Sequence, residues 1–241
     1  MMRVLKSYVR DQQFNPGLIG LMVNPFFHAR HGLYQAIAEM APKLDGRLLD
    51  VGCGRKPYRN LFAAEEYVGL EIDTPVNRMS KRADYYYDGD SFPFPDQRFD
   101  GVICNQVLEH VFTPDRFLAE IKRVLKPGGK LLLTIPFVWD EHEQPWDYAR
   151  YSSFGLKSLL EKSGFEIAEQ RKINADVRVL FQLINAYLYK VLWTRQPIVN
   201  LVVCALMMAP FNILGALLYR LLPVNPDLYL DQLVLARKVA E

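Results

Sequence analysis

From residue 46 to residue 173, short apolar runs alternate with stretches whose apolar residues recur every three or four positions. The runs at 48–50, 67–72, 99–104, 130–135 and 165–173 read as strands, each closed by proline, acid or asparagine. Before the first strand, Leu33, Ile37 and Met40 give residues 26–40 helical spacing, with Pro42 and Gly46 ending it. Residues 1–13 suggest a short helix that Asn15-Pro16-Gly17 breaks, and Asn24-Pro25 breaks the chain again. Residues 61–66 fit part of a helix. Thr113-Pro114-Asp115 is a helix start, followed by a buried stripe of Phe117, Leu118, Ile121, Val124 and Leu125; Pro127-Gly128-Gly129 then launches the next strand. Ser152 or Ser153 begins another helix, which Gly164 closes. Strands separated by helices predict a largely parallel sheet with helices on both faces.

After Ala175 the pattern changes. Residues 177–193 are apolar with scattered Gln182, Asn185 and Lys190, and residues 198–219 carry no charge. The second run has the length of a bilayer crossing, about 20 residues. Residues 229–237 (YLDQLVLAR) then alternate like a strand; if that strand joins the same sheet, one crossing would leave it on the wrong side of the membrane. Pro210 and Asn212 divide the run into two short pieces. The insertion therefore reads as an interfacial or re-entrant hairpin, or else as a helical lid or homodimer surface. The expected organisation is a helical cap (1–45), a core (46–174), an apolar helical insertion (175–224) and a last strand (225–241).

Composition narrows the function. The 241 residues are half apolar, and 29 basic against 27 acidic residues leave no basic field for nucleic acid. Cys53, Cys104 and Cys204 lack metal-ligand spacing, and three cysteines suggest no disulfide framework. The N-terminus lacks the apolar core of a secretory signal. A cytoplasmic setting is expected, peripheral to the inner face of the membrane if the insertion reaches it.

The first strand runs into LLDVGCGRKPY (48–58), where Gly52 and Gly54 allow a tight turn beneath a ligand. A dinucleotide fingerprint needs a third glycine, and Arg55, Lys56 and Pro57 stand there instead, which excludes NAD. Downstream come YVGLEI, DGDSFPFPDQRFD, GVICNQVLEHV and KPGGKLLLTIPF. In that order and spacing, the chain resembles the class I S-adenosylmethionine-dependent methyltransferases, over roughly 46–173 plus the last strand. The resemblance implies a Rossmann-like, seven-stranded, mostly parallel sheet and S-adenosyl-L-methionine as cofactor.

It also implies residue roles. Asp50 would take the methionine ammonium, with Gly52, Cys53 and Gly54 close beside it. Glu71 would hold the ribose hydroxyls, with Ile72 next to it and Asp73 in reserve. Asp88 and Gly89 would read adenine, though Asp84 or Asp90 are alternatives. Asn105 and Gln106 would line the sulfonium side. In similar ubiquinone-pathway and small-RNA methyltransferases, an acid three residues before a Glu-His pair completes a divalent-metal site. Here Gln106 stands three before Glu109-His110, a poor substitute for a carboxylate, so no metal is expected.

The acceptor falls to the loop 136–153, PFVWDEHEQPWDYARYSS. His142 is the candidate general base, with Asp140 and Glu141 to orient or replace it. Trp139, Trp146 and Tyr148 suit a sugar ring or lipid, Arg150 an anionic group, and Arg30 and His31 of the entry helix are further substrate candidates. Details such as NPFFHARHGLY and GCGRKPY look like bacterial methyltransferases of surface-polysaccharide and glycolipid assembly. That likeness implies O-methylation of a sugar or lipid-linked glycan. A quinone or lipid acceptor, and a non-catalytic binding module, are the competing readings.

Overall fold

A computed structural model describes residues 12–239 and divides the chain into two units. The expected helix at 1–13 lies almost wholly outside the described residues.

The larger unit, Ile37–Phe137, Glu141–Arg171 and 232–239, is built on a sheet. Its strands are β1 (Arg47–Val51), β2 (Glu66–Ile72), β3 (Tyr85–Tyr87), β4 (Phe99–Asn105), β5 (Leu125–Pro136), β6 (Phe165–Ile173) and β7 (Asp231–Lys238), in the order β3-β2-β1-β4-β5-β7-β6. The pairs β1–β2, β1–β4, β2–β3 and β4–β5 are parallel, and Asp50 stands opposite Gly69 on one side and Ile103 on the other. Parallel strands buried on both faces explain the near-continuous apolar runs. Helices α4 (Pro114–Val124) and α5 (Ser153–Lys162) pack Phe117, Leu118, Ile121, Leu156 and Leu160 against Val102, Leu131 and Leu133. Ser152 caps α5 by accepting from Gly155 N at 3.2 Å.

Several boundaries differ from expectation. The segment 61–66 is not helical: one 3-10 turn, Arg59–Leu61, precedes β2, which already begins at Glu66. Strand β3 completes the seven strands that the resemblance implies, at a position the residue pattern did not place, and the short helix α3 (Pro75–Ser80) was not expected. Three residues are too few to show a period, and β3 exists because Tyr85–Tyr87 find β2's edge. The last strand starts at Asp231 and lies between β5 and β6.

The smaller unit comprises residues 12–36, Val138–Asp140 and Lys172–Asp231, so the expected cap and the expected insertion belong together. It holds α1 (Gly20–Val23), the first part of α2 (Phe27–Met40), α6 (Arg178–Leu192), α7 (Pro197–Val203) and α8 (Ala209–Leu218). A π-helical stretch, Cys204–Met208, joins α7 to α8, so the run is one 22-residue rod rather than two pieces. Its wide turn accommodates Pro210, which has no N–H to donate. The Met208 carbonyl accepts from Asn185 Nδ2 at 3.2 Å.

Amides hold this unit together. Asn212 Nδ2 donates to Leu21 O (3.0 Å) and Asn24 O (2.9 Å), and its Oδ1 accepts from Asn185 Nδ2 (2.9 Å). Gln182 Nε2 donates to Pro25 O at 3.0 Å, and its Oε1 accepts from Ala29 N at 3.1 Å. All three amide side chains are fully buried. The Leu21 carbonyl is the one that Pro25, lacking an N–H four residues on, leaves without a helical partner, and Asn212 satisfies it.

Candidate active site

In an open α/β sheet the ligand site lies beyond the carboxyl ends of the strands, and the predicted cofactor residues meet there. Asp50 ends β1, is buried, and accepts from Tyr67 Oη at 2.7 Å. Burial pushes its pKa up to about 7 against that hydrogen bond and the Lys56 charge. A buried carboxyl so disposed is a receptor for a cation.

The turn after it is shaped by close approaches. Gly52 N and Cys53 N both donate to Leu70 O (2.9 and 3.1 Å), tying the turn to β2. Gly52 has φ +67°, and a Cβ there would stand 2.3 Å from Val107 Cγ2, so only glycine fits. At Gly54 (φ +47°) a Cβ would meet nothing within 4 Å; the loop's outer side is open. Gly54 N donates to Glu71 Oε2 at 2.9 Å and Ile72 N to Glu71 Oε1 at 3.1 Å, which brings the Glu71 carboxylate to the turn.

The alternatives are committed elsewhere. Asp73 is paired with Arg78, and that hydrogen bond leads in lowering its pKa. Asp84 accepts from Lys56 Nζ (2.5 Å) and Gly69 N (2.7 Å), bracing the turn from beneath. Asp88 accepts from Asp90 N and Ser91 N through Oδ1, and these bonds hold its carboxyl below the usual range. Gly89, at φ +101°, adjoins Ile72: a Cβ there would lie 3.8 Å from Ile72 Cδ1. Glu71, Ile72, Asp88 and Gly89 thus line successive strand ends, and Asp73 and Asp84 do not join them. Asn105 and Gln106 are fixed by Thr134, which the sequence reading missed. Its Oγ1 donates to Asn105 Oδ1 at 2.7 Å, and its carbonyl accepts from Gln106 N at 3.0 Å, holding Gln106 at φ +54°.

The acceptor loop gathers a second cluster. His142 N donates to Asp147 Oδ2 at 3.0 Å, and its Nδ1 lies 3.3 Å from the same oxygen. Burial raises the Asp147 pKa, but Arg150, through bonds of 2.6 and 2.7 Å, and His142 outweigh it and bring it to about 2. Arg150 therefore serves Asp147 rather than standing ready for a substrate anion. Asp147 was missed: it was one acid among several in a polar loop, and only the fold aims it at His142. His110 Nδ1 lies 2.6 Å from Trp146 O and its ring meets His142 edge-on, centroids 4.8 Å apart.

Glu109, His110 and His142 each offer a ligand atom, all within 4.8 Å of one another. The expectation of no metal was drawn from Gln106; the structure brings His142 to the Glu-His pair as a third donor. His110 has its Nδ1 against the Trp146 carbonyl, which leaves Nε2 as the basic atom, the usual arrangement of metal-ligating histidines, while His142 Nδ1 stands between Asp147 Oδ2 at 3.3 Å and Arg150 Nη2 at 3.4 Å. The donor set fits a divalent cation.

The other candidates scatter. Glu141 accepts from Gln144 Nε2 at 3.2 Å, while Asp140 belongs to the helical unit and pairs with Lys190 at 3.4 Å. Trp139 packs there with Phe26, Val179 and Leu230. Arg30 stacks on Phe14, and His31 Nδ1 lies 3.1 Å from Pro16 O. Trp146 and Tyr148 are half-exposed, Tyr148 meeting exposed Phe112 edge-on.

Comparison with known proteins identifies the family. The model of a family described as a methyltransferase domain matches residues 26–170. A probable S-adenosylmethionine-dependent methyltransferase of Mycolicibacterium smegmatis is 30% identical over 164 residues, 62% of this chain and 63% of that protein. A fatty-acid O-methyltransferase of the same organism is 34% identical over 157 residues, 60% of this chain and 53% of its own length. The matches thus span less than two thirds of these relatives. Among solved structures, a methyltransferase from Bacillus halodurans superposes with TM-score 0.55 at 20% identity, covering 86% of this chain and 99% of that one. With the glycine turn, the strand-end acids and the family match in agreement, the chain belongs to a class I S-adenosylmethionine-dependent methyltransferase family.

Proposed function

We propose that this protein transfers the methyl group of S-adenosylmethionine to a hydroxyl of a sugar or lipid-linked glycan at the cytoplasmic face of a membrane. The observation that carries the reading is the pairing of two clusters in one unit: the Asp50–Gly54–Glu71 cradle and the His142–Asp147 pair. In this reading Asp50 holds the methionine ammonium, Glu71 the ribose hydroxyls, and Ile72, Asp88 and Gly89 the adenine. The acceptor oxygen attacks the methyl carbon, the carbon–sulfur bond breaks, and its electron pair stays on sulfur, giving S-adenosylhomocysteine. His142 Nε2 takes the hydroxyl proton, and the ionised Asp147 beside Nδ1 stabilises the imidazolium formed. Glu141 stands by at the loop's exposed edge, and Trp146 and Tyr148 offer aromatic faces to a sugar ring.

Glu109, His110 and His142 are the residues that would hold a divalent cation; with His142 Nε2 then engaged as a ligand, the cation would supply a Lewis acid for the acceptor oxygen in place of His142 as base. A quinone or fatty-acid acceptor is the second reading, favoured by the fatty-acid O-methyltransferase above and by a demethylmenaquinone methyltransferase of Symbiobacterium thermophilum, 33% identical over 125 residues.

Calorimetry with S-adenosylmethionine and S-adenosylhomocysteine, followed by methyl incorporation into lipid-linked glycans, quinones and fatty acids, tests the proposal. Binding with transfer to the glycan pool supports it. Transfer only to quinones or fatty acids overturns the acceptor, and absence of cofactor binding overturns the activity.

A further inference from the structure

The helical unit carries its apolar side chains outward. On α6, Leu180, Ile184, Tyr187 and Val191 form one exposed stripe at spacings of four, three and four residues. Along the rod, Ile198, Val202, Leu206, Met207, Ile213 and Leu217 are exposed, and α1 with the turn before it adds Met22 and Leu18. The rod packs against both α1 and α6, so these outward faces adjoin. A monomer in water rarely shows apolar side chains on this scale.

Charge selects the occupant. From residue 177 to residue 226 there is no acidic residue, whereas Arg195 and Arg220 are exposed beside the apolar face; Lys190, at the end of α6, is paired with Asp140. A second copy meeting this face through a twofold axis would set Arg195 and Arg220 against the same cations, with no acid on the rod to answer them. An anionic bilayer surface answers both features: acyl chains take the apolar stripe, headgroup phosphates the cations, and Trp193, Tyr187 and Tyr219 suit the boundary between them.

Crossing is excluded by the fold. Strands β6 and β7 are neighbours in the sheet, so the chain between them must begin and end on one side. Return would require α6 to cross too, and its 15 residues reach about 22 Å against a hydrocarbon core of about 30 Å. The rod's inner face is also bound to its own unit through Asn200, Asn212 and Cys204 rather than open to lipid.

We infer that this helical unit is a monotopic docking surface for an anionic bilayer, lying in the interface without spanning it. The inference stands whichever acceptor the sheet unit serves, since neither cofactor nor methyl transfer enters its test. The intact protein is floated with phosphatidylcholine vesicles with and without about 30% phosphatidylglycerol. It should float with the anionic vesicles, be released by high salt, and remain soluble with phosphatidylcholine alone. Arg195→Glu/Arg220→Glu should lower partitioning about five-fold or more per cation, and Leu206→Glu/Leu217→Glu should abolish it. Both variants alter only outward side chains, and unchanged near-ultraviolet circular dichroism verifies their folding. Three outcomes overturn the inference: equal flotation with both vesicle types, retention in membranes through alkaline extraction, or a dimer in sedimentation with no flotation.

Discussion

The two units invert each other's use of polarity. In the sheet unit apolar side chains fill the core, and the polar groups proposed for function, Asp50, Glu71, Asp88 and Asp147, stand at strand ends and in one loop. In the helical unit Gln182, Asn185 and Asn212 fill the centre while Leu180, Leu206 and Leu217 face outward. The difference follows from what each backbone leaves unpaired. Parallel strands satisfy one another, so their buried polar groups are spare and available to a ligand. The chain break at Asn24-Pro25 leaves carbonyls that the buried Asn212 and Gln182 amides reach, so polarity is consumed inside and the apolar surplus turns outward.

If the strand-end and loop groups are spare for chemistry, removing one should cost function and not fold. His142→Ala should lower turnover by about 10²–10⁴-fold, leaving cofactor affinity and melting temperature as they were. Equal loss of cofactor binding would show that His142 holds the loop together instead. Titrating Mn²⁺ sharpens the same point: binding that His110→Ala abolishes would place a cation on Glu109, His110 and His142.

The helical unit should respond in the opposite way. Asn212→Leu leaves the Leu21 and Asn24 carbonyls without their donor in a buried setting, a loss of about 2–4 kcal/mol read as a lower melting temperature. Cofactor affinity should hold. An unchanged melting temperature would mean that the amides are not what holds this unit.

The contrast also explains what the sequence disclosed. Apolar runs and glycine turns are local, so β1, β4, the turn at Gly52 and Gly54 and the acid Glu71 were legible in one dimension. Strand β3 was not, because three tyrosines acquire their role only from β2's edge. Nor was Thr134, whose hydroxyl matters through Asn105 on the neighbouring strand, nor Asp147, one acid of several until the fold sets it against His142. The union of the N-terminal helices with the insertion depends on Asn212 meeting Leu21 and Asn24, a contact no periodicity carries.

Glu71 gives a middle-sized test. Glu71→Ala should weaken S-adenosylmethionine by about 1–3 kcal/mol. The effect is bounded because Gly54 N and Ile72 N also lose an acceptor but lie at the turn's open side. Unaltered affinity would hand the ribose to another group, and the pairing of Asp73 with Arg78 makes that residue a poor successor.

The smallest effect is the pH dependence that Asp50 imposes. Its pKa is raised from 3.8 to about 7 by burial, so between those values the folded chain keeps a proton that the unfolded chain has released. Stability contributed by this group is therefore greatest in acid and falls as pH rises toward 7. Cofactor binding has the opposite sign, because the methionine ammonium pairs only with the ionised carboxylate. With a free-state pKa near 7 and a much lower one in the complex, affinity should rise about ten-fold from pH 6 to pH 8, with most of the gain below pH 7.5. Asp50→Asn should bind more weakly and flatten the profile. A wild-type profile already flat would mean that Asp50 meets the cofactor protonated, and the ammonium would then have to find its partner elsewhere at the strand ends.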